Sequence, residues 1–161
     1  MSAGEPTTRD GFLGGAVTII QPTKGYRAGM DAVLLAASLS AKDNEHLAEA
    51  GCGAGAALLC AAHRLSTSRF TGFERESNAA ALARESIAAN AFASRIDVRS
   101  ADIAQRPADL ENTFDQSFAN PPFFEPDAVR APAEGRQAAY LADTPLKAWV
   151  LFLYHVTKPG G

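Results

Sequence analysis

A chain of 161 residues, 47% hydrophobic and 20% charged, has the size and apolar content of one globular domain, which excludes intrinsic disorder as its organising state. Fifteen Lys and Arg against 18 Asp and Glu give a formal charge of −3, so no broad positive field covers the molecule and any nucleic-acid contact must be local. Two cysteines and three scattered histidines exclude a disulfide scaffold and a clustered metal site; with a polar start over Met1–Asp10 and no apolar run near the roughly 20 residues of a membrane span, the chain reads as cytoplasmic, metal-free and not inserted in a membrane.

Residues 1–15 carry no periodic pattern and are read as a flexible N-terminus. Ala16–Gln21 is rich in β-branched residues and stops at Pro22, which has no amide donor, so it reads as a short strand. A glycine-punctuated loop over 25–30 leads to Asp31, placed to cap an apolar helix over Ala32–Ala37. Leu47–Ala50, the turn Gly51-Cys52-Gly53-Ala54-Gly55 and Ala56–Leu65 read as strand, turn and helix. Arg69–Glu74 is the next strand, followed by an alanine-rich helix over Ser77–Ala91 and a third strand at Ile96–Arg99. Phe114–Ala119 is the fourth, stopped by Asn120-Pro121-Pro122 because neither proline can donate to a ladder. Glu125–Glu134 is polar and reads as a surface loop, and Thr144–Val156 places Leu146, Trp149, Val150 and Leu153 on one helical face.

This alternation predicts an α/β fold, a three-layer, doubly wound, mostly parallel sheet. A helix closing in a glycine turn ordinarily delivers a further parallel strand, and the chain stops there, after the fourth core strand. The sequence is therefore read as a single partial domain over 1–161, with an unpaired sheet edge prone to self-association.

Gly51, Gly53 and Gly55 suit the first strand-to-helix turn of such a sheet, where missing side chains let the backbone approach a cofactor. Their spacing is GxGxG; neither GxGxxG nor GK[ST] is present, which argues against phosphate as the main ligand. Glu74, 19 residues after Gly55, ends the next strand, where a carboxylate can accept both ribose hydroxyls of a nucleoside. Asp102 follows the third strand and can accept from an adenine amino group. A three-glycine turn can also be only a tight turn, and a single carboxylate is more often solvated; their combination and order favour a nucleoside cofactor. Glu49 stays open between holding the turn, meeting the positive end of a cofactor and simply finishing its strand.

Asn120-Pro121-Pro122-Phe123 is the most informative tetrapeptide. The Asn120 side-chain carbonyl and the Pro121 main-chain carbonyl are two acceptors for one NH₂ group, while Phe123 can stack on a planar substrate. The amino nitrogen of adenine or of a carboxamide is a poor nucleophile because its lone pair is delocalised. Paired acceptors favour the more pyramidal nitrogen of the transition state, a differential stabilisation that needs no histidine base.

Glu49–Gly55, Phe73-Glu74, Asp102-Ile103 and Asn120–Phe123 together resemble the motifs of class I S-adenosylmethionine-dependent methyltransferases, in the amino-group branch with an NPP[YF] turn. Gln21–Arg27 and Asp31–Leu35 resemble the front of the small-methyltransferase group, which includes enzymes acting on adenine N6 of tRNA. The resemblance implies that the region around Asp31 holds the methionine end of S-adenosylmethionine, that the glycine turn with Glu49 lies beneath it, and that Glu74 and Asp102 take its ribose and adenine. It implies that Asn120, Pro121, Pro122 and Phe123 hold the accepting amino group, with tRNA as substrate; a protein glutamine amide is the alternative, and a cofactor-binding or association module without activity the third reading. Arg27, with Lys24 and Arg130, is a candidate phosphate contact against the commoner reading of solvated loop charge. Cys52 and Cys60 read as core rather than nucleophiles.

Overall fold

Two sheets organise the computed structural model, which describes residues 6–122 and 144–161. The first is an antiparallel hairpin of β1 (Thr7–Phe12) and β2 (Val17–Pro22). The second has four parallel strands, β3 (His46–Ala50), β4 (Arg69–Glu74), β5 (Ile96–Ser100) and β6 (Gln116–Ala119), in spatial order β5-β4-β3-β6. Helices α1 (Met30–Ser38), α2 (Ala56–Arg64), α3 (Ser77–Ala89) and α4 (Leu146–Val156) cover it, so the architecture is the expected layered α/β sheet. β4 and β5 are added successively to one side of β3, and β6 then returns to its other side. That reversal creates a switch point between β3 and β6, where the strand ends open a crevice.

Alternation along the strands divides the core. Leu47, Phe70, Ile96, Val98 and Phe118 face α1, α2, α3 and β2; Ala48, Ala50, Phe73 and Phe114 face Trp149, Phe152 and Val156 of α4. On the second face Phe73 meets Phe152 and Phe114 edge to face, at centroid separations of 5.2 and 5.8 Å. Ala56–Ala62 is buried without interruption, because α2 lies between the sheet and a second cover of α1, α3 and β2. Its alanines allow those close approaches on every side.

The hairpin corrects the reading of residues 1–15 as a flexible N-terminus, since Thr7–Phe12 pairs residue by residue with β2. Its sequence, Thr-Thr-Arg-Asp-Gly-Phe, has no apolar alternation because both faces of β1 stay partly open. The free side of β2 is closed by α3. Thr18 N–H donates to Asn90 Oδ1 at 2.8 Å, Asn90 Nδ2 returns a bond to Thr18 O at 2.6 Å, and Ile20 N–H donates to Ser86 Oγ at 2.9 Å. Asn90 thus supplies the donor and acceptor that a neighbouring strand would.

Two boundaries also differ. The fourth strand starts at Gln116; Phe114 instead makes an isolated parallel bridge with Thr157, so residues after α4 already run beside the start of the edge expected to be unpaired. Helix α1 begins at Met30 behind Gly29, and Asp31 lies inside its first turn rather than at the cap, with Oδ1 accepting the Gly29 N–H at 3.1 Å.

Replacing Asn90 by Ala removes both bonds to Thr18. Urea unfolding should show a loss of about 1–3 kcal/mol with an unchanged m-value.

Candidate active site

At the C-terminal strand ends, β3 runs into the glycine turn, β4 into Glu74 and β6 into Asn120. The register aligns Ala50 with both Phe73 and Ala119, so the three connections leave the sheet side by side at the switch point. All three turn glycines have positive φ, from 55° to 87°, which accounts for glycine at each. Their surroundings differ. A Cβ on Gly51 would clash with the edge of the Trp149 ring, and one on Gly55 would lie 2.7 Å from Leu59 Cδ1, whereas at Gly53 no described residue lies within 4 Å. Gly51 and Gly55 are therefore required by packing, and Gly53 is the member of the turn with an open side.

Glu74 is 9% exposed and holds this turn: Oε2 accepts the Gly53 N–H at 2.8 Å and Oε1 the Glu76 N–H at 2.9 Å. Each oxygen retains acceptor capacity for a hydroxyl. Glu49 is 2% exposed, and its Oε2 has no hydrogen-bond partner among the described residues. Burial pushes its pKa well above the ordinary carboxylate range, a backbone hydrogen bond from Leu58 works against this, and the charge of Glu74 adds to it. Asp102 sits in the turn after β5, its Oδ1 accepting the Ala104 N–H at 2.9 Å.

The Asn120 side chain meets α1. Its Nδ2 donates to Asp31 Oδ2 at 2.7 Å, and Tyr26 O–H donates to the same oxygen at 3.2 Å. Burial raises the Asp31 pKa, but the hydrogen bonds from Asn120, the backbone of Ala32 and Gly29, and Tyr26 outweigh it and hold the carboxyl below its usual value. The Tyr26 hydroxyl is pushed up to about 12 by burial and then by the neighbouring Asp31 and Glu49.

Arg27 is spent on the hairpin. It pairs with Asp10 at 2.6 Å and donates to Thr8 Oγ1 and Pro22 O, each at 2.9 Å. Buried Gln21 accepts the Ala28 N–H at 2.8 Å and donates to Asp10 at 3.0 Å. Together they fix the loop that carries Tyr26 to Asp31, a role absent from the sequence reading for Asp10, Gln21 and Tyr26. The available signal was a Tyr and an Asp flanking a glycine in the loop just before an apolar helix. Pro121 and Pro122 follow Asn120 at the mouth, while Phe123, Arg130 and the loop Glu125–Glu134 lie outside the described residues. An open groove of about 1480 Å³ runs along β6 and α4, lined by Glu45, Asp115, Ser117 and Tyr154 among others, and contains none of the site residues above.

A parallel sheet with a glycine turn, an acidic strand end and an Asn-Pro-Pro turn at one switch point defines a class of nucleoside-dependent group-transfer domains. Residues 28–136 match the family model described as methyltransferase small domain, and the chain belongs to this family of S-adenosylmethionine-dependent methyltransferases. It is 32% identical over 133 residues to the tRNA1(Val) (adenine(37)-N6)-methyltransferase of Escherichia coli O157:H7 (strain EC4115 / EHEC), covering 82% of this chain and 54% of that protein. The chain thus spans about half the length of the curated relatives it matches. Among solved structures it is similar to protein Atu636 of Agrobacterium tumefaciens, described as a predicted O-methyltransferase, with 29% identity, a TM-score of 0.62 and coverage of 81% of this chain and 57% of that one. Pyrococcus horikoshii TYW2 in complex with MeSAdo, at 15% identity, shares the fold, with a TM-score of 0.66 over 96% of this chain and 50% of its own.

Replacing Gly51 by Ala should lower stability by about 2–4 kcal/mol, through the Trp149 clash and the positive φ. Replacing Gly53 by Ala should cost only about 1–2 kcal/mol while weakening cofactor binding; parallel thermal unfolding and calorimetric titration with S-adenosylmethionine separate the two effects.

Glu49 sets a pH dependence. Its folded pKa lies above the unfolded value, so the folded state holds an extra proton between the two; the associated stability is complete below the unfolded value and is lost as pH rises through the folded one. The variant E49Q should therefore gain stability relative to wild type between pH 5 and pH 8, as measured by urea unfolding.

Proposed function

We propose that the protein transfers a methyl group from S-adenosylmethionine to the N6 amino group of adenine in tRNA. The observation that carries this reading is the placement of Asn120 at the switch point with its NH₂ held by Asp31, so that its carbonyl is the polar end that this contact does not use. The 32% identical tRNA adenine-N6 methyltransferase favours this substrate over a protein glutamine amide, which has the same planar NH₂ group.

The residues present suit a nucleoside with a cationic centre. Among the described residues Gly53 has an open side for close backbone approach, Glu74 retains acceptor capacity for ribose hydroxyls, Asp102 lies in the turn after β5 for an adenine, and the buried Glu49 carboxyl beneath the turn keeps one oxygen without a partner. When bound, S-adenosylmethionine would supply an electrophilic methyl, so that transfer to the amine lone pair would release a neutral thioether and the nitrogen proton would go to solvent. Asn120 Oδ1 and the Pro121 carbonyl accept the two N–H groups and stabilise the nitrogen as it becomes pyramidal. The adenine must leave its stack to reach this turn, and an unpaired loop base lowers that cost. Beyond the Phe114–Thr157 bridge, β6 has no strand partner on its outer side among the described residues, which favours self-association there.

Transfer of labelled methyl groups, with tRNA and protein offered separately, tests the reading; label in protein alone transfers it to the glutamine alternative. N120A should lower the transfer rate by about 100-fold with little change in cofactor affinity, and E74A should weaken cofactor binding by about tenfold or more, through loss of hydroxyl acceptors and of the turn's anchor.

A further inference from the structure

A side-chain amide is nearly symmetric in shape, so its neighbours decide which end faces a substrate. Asn120 is unusual in having few local choices. An asparagine oxygen ordinarily accepts the backbone N–H two residues on, but here that residue is Pro122, and the intervening residue is Pro121. Pro121 also biases the Asn120 backbone toward extended geometry. The double proline therefore removes the usual local partner for Oδ1, and orientation falls to a contact from another part of the chain.

That contact is Asp31, 89 residues away, at 2.7 Å from Nδ2. An ionised carboxylate only accepts. Its Oδ1 already takes the Gly29 N–H at 3.1 Å and its Oδ2 the Tyr26 O–H at 3.2 Å, so an amide oxygen turned toward it would meet negative charge. Only the NH₂ end of Asn120 is compatible with this neighbour. The hairpin contributes at one remove, since Gln21 and Arg27 brace the loop that carries Tyr26 and Gly29.

We infer that Asp31 is a positioning residue which sets the orientation of the Asn120 amide, holding its NH₂ and thereby presenting Oδ1 as the acceptor for the amino group to be methylated. This rests on the proposed methyl transfer and adds to it a requirement for one carboxylate on α1. It also differs from the role that family resemblance implies for the Asp31 region, contact with the methionine end of the cofactor.

D31N distinguishes the two. The Gly29 N–H retains an oxygen at position 31, so the introduced NH₂ faces Asn120 and the Asn120 amide turns over. Transfer to unmodified bulk tRNA at saturating S-adenosylmethionine should fall by about 100-fold, with the donor dissociation constant changed less than about threefold. The decisive variant is the exchange D31N/N120D, which restores one NH₂ opposite one carboxylate and leaves an outward oxygen. It should be about tenfold or more faster than either single variant. Nitrogen-15 spectra provide a readout independent of turnover: the side-chain NH₂ signals of Asn120 should move in D31N, and Y26F should move them less. A D31N protein with a raised donor dissociation constant but full saturated rate, an exchange variant no faster than the singles, or Asn120 NH₂ signals unmoved by D31N would each overturn the inference. If wild-type protein methylates no tRNA, the proposed function falls, and the spectra alone decide the positioning role.

Discussion

The pairing of Ala50 with Ala119 across the β3–β6 ladder is the constraint on which the site depends. It places Asn120 beside Gly51, at the reversal of strand order, although the two are far apart in sequence. The register is held by the partition of the core: Phe118 belongs with the helices α1, α2 and α3, while Ala119 and Ala50 belong with α4. A one-residue slip would exchange those faces, moving a large aromatic ring out of its cluster. The prolines then prevent the ladder from extending, so Asn120 is the first side chain free of the sheet.

Around this fixed point, order is built from the outside inward. The hairpin covers α2 and α3, Asn90 and Ser86 of α3 satisfy the free side of β2, and Gln21 at the end of β2 holds the loop leading to α1. The glycine turn divides its work similarly. Gly51 admits Trp149 from the opposite layer, Gly55 admits the start of α2 against Ala83, and Gly53 alone of the three has open space among the described residues while its N–H is held by Glu74. One turn therefore locks three layers together and still offers a backbone surface to a ligand.

The strand order was implicit in the sequence only as alternation. β3, β4 and β5 with their helices were legible because their apolar runs end in glycine, carboxylate or proline signals, and the Asn-Pro-Pro stop announced the end of β6. The hairpin's first strand was not legible: Thr7–Phe12 exposes part of both faces, and its pairing is determined by β2. Arg27 illustrates the harder problem. Its charge suggested a substrate phosphate, but Asp10, which neutralises it, is 17 residues earlier in a segment without a helical or strand pattern. The Asp31–Asn120 contact was hidden for the same reason: each residue was conspicuous alone, while only tertiary structure joins them.

The charge of the crevice narrows what it can hold. Asp31, Glu74 and Asp102 gather at its strand ends beside Glu49, whose burial favours the protonated form, and the ion pairs Arg27–Asp10, Arg75–Glu76, Arg99–Asp97 and Lys158–Asp115 among the described residues involve none of these. A pyrophosphate brought here would meet like charge in a partly desolvated setting, where repulsion is little screened. A nucleoside with a positive centre meets the opposite field, and the absence of a GxGxxG turn agrees with that preference. The same acidic mouth restricts the proposed substrate. An adenine can enter as a neutral ring, but its flanking phosphates are better held outside the acidic mouth, which favours an extruded base over a strand laid along the crevice. Asp31 already accepts hydrogen bonds from Asn120, Tyr26 and Gly29, so it is a poor proton acceptor for the methylated nitrogen. Its position favours orienting the amide, with the nitrogen proton released to water at the open side of the site.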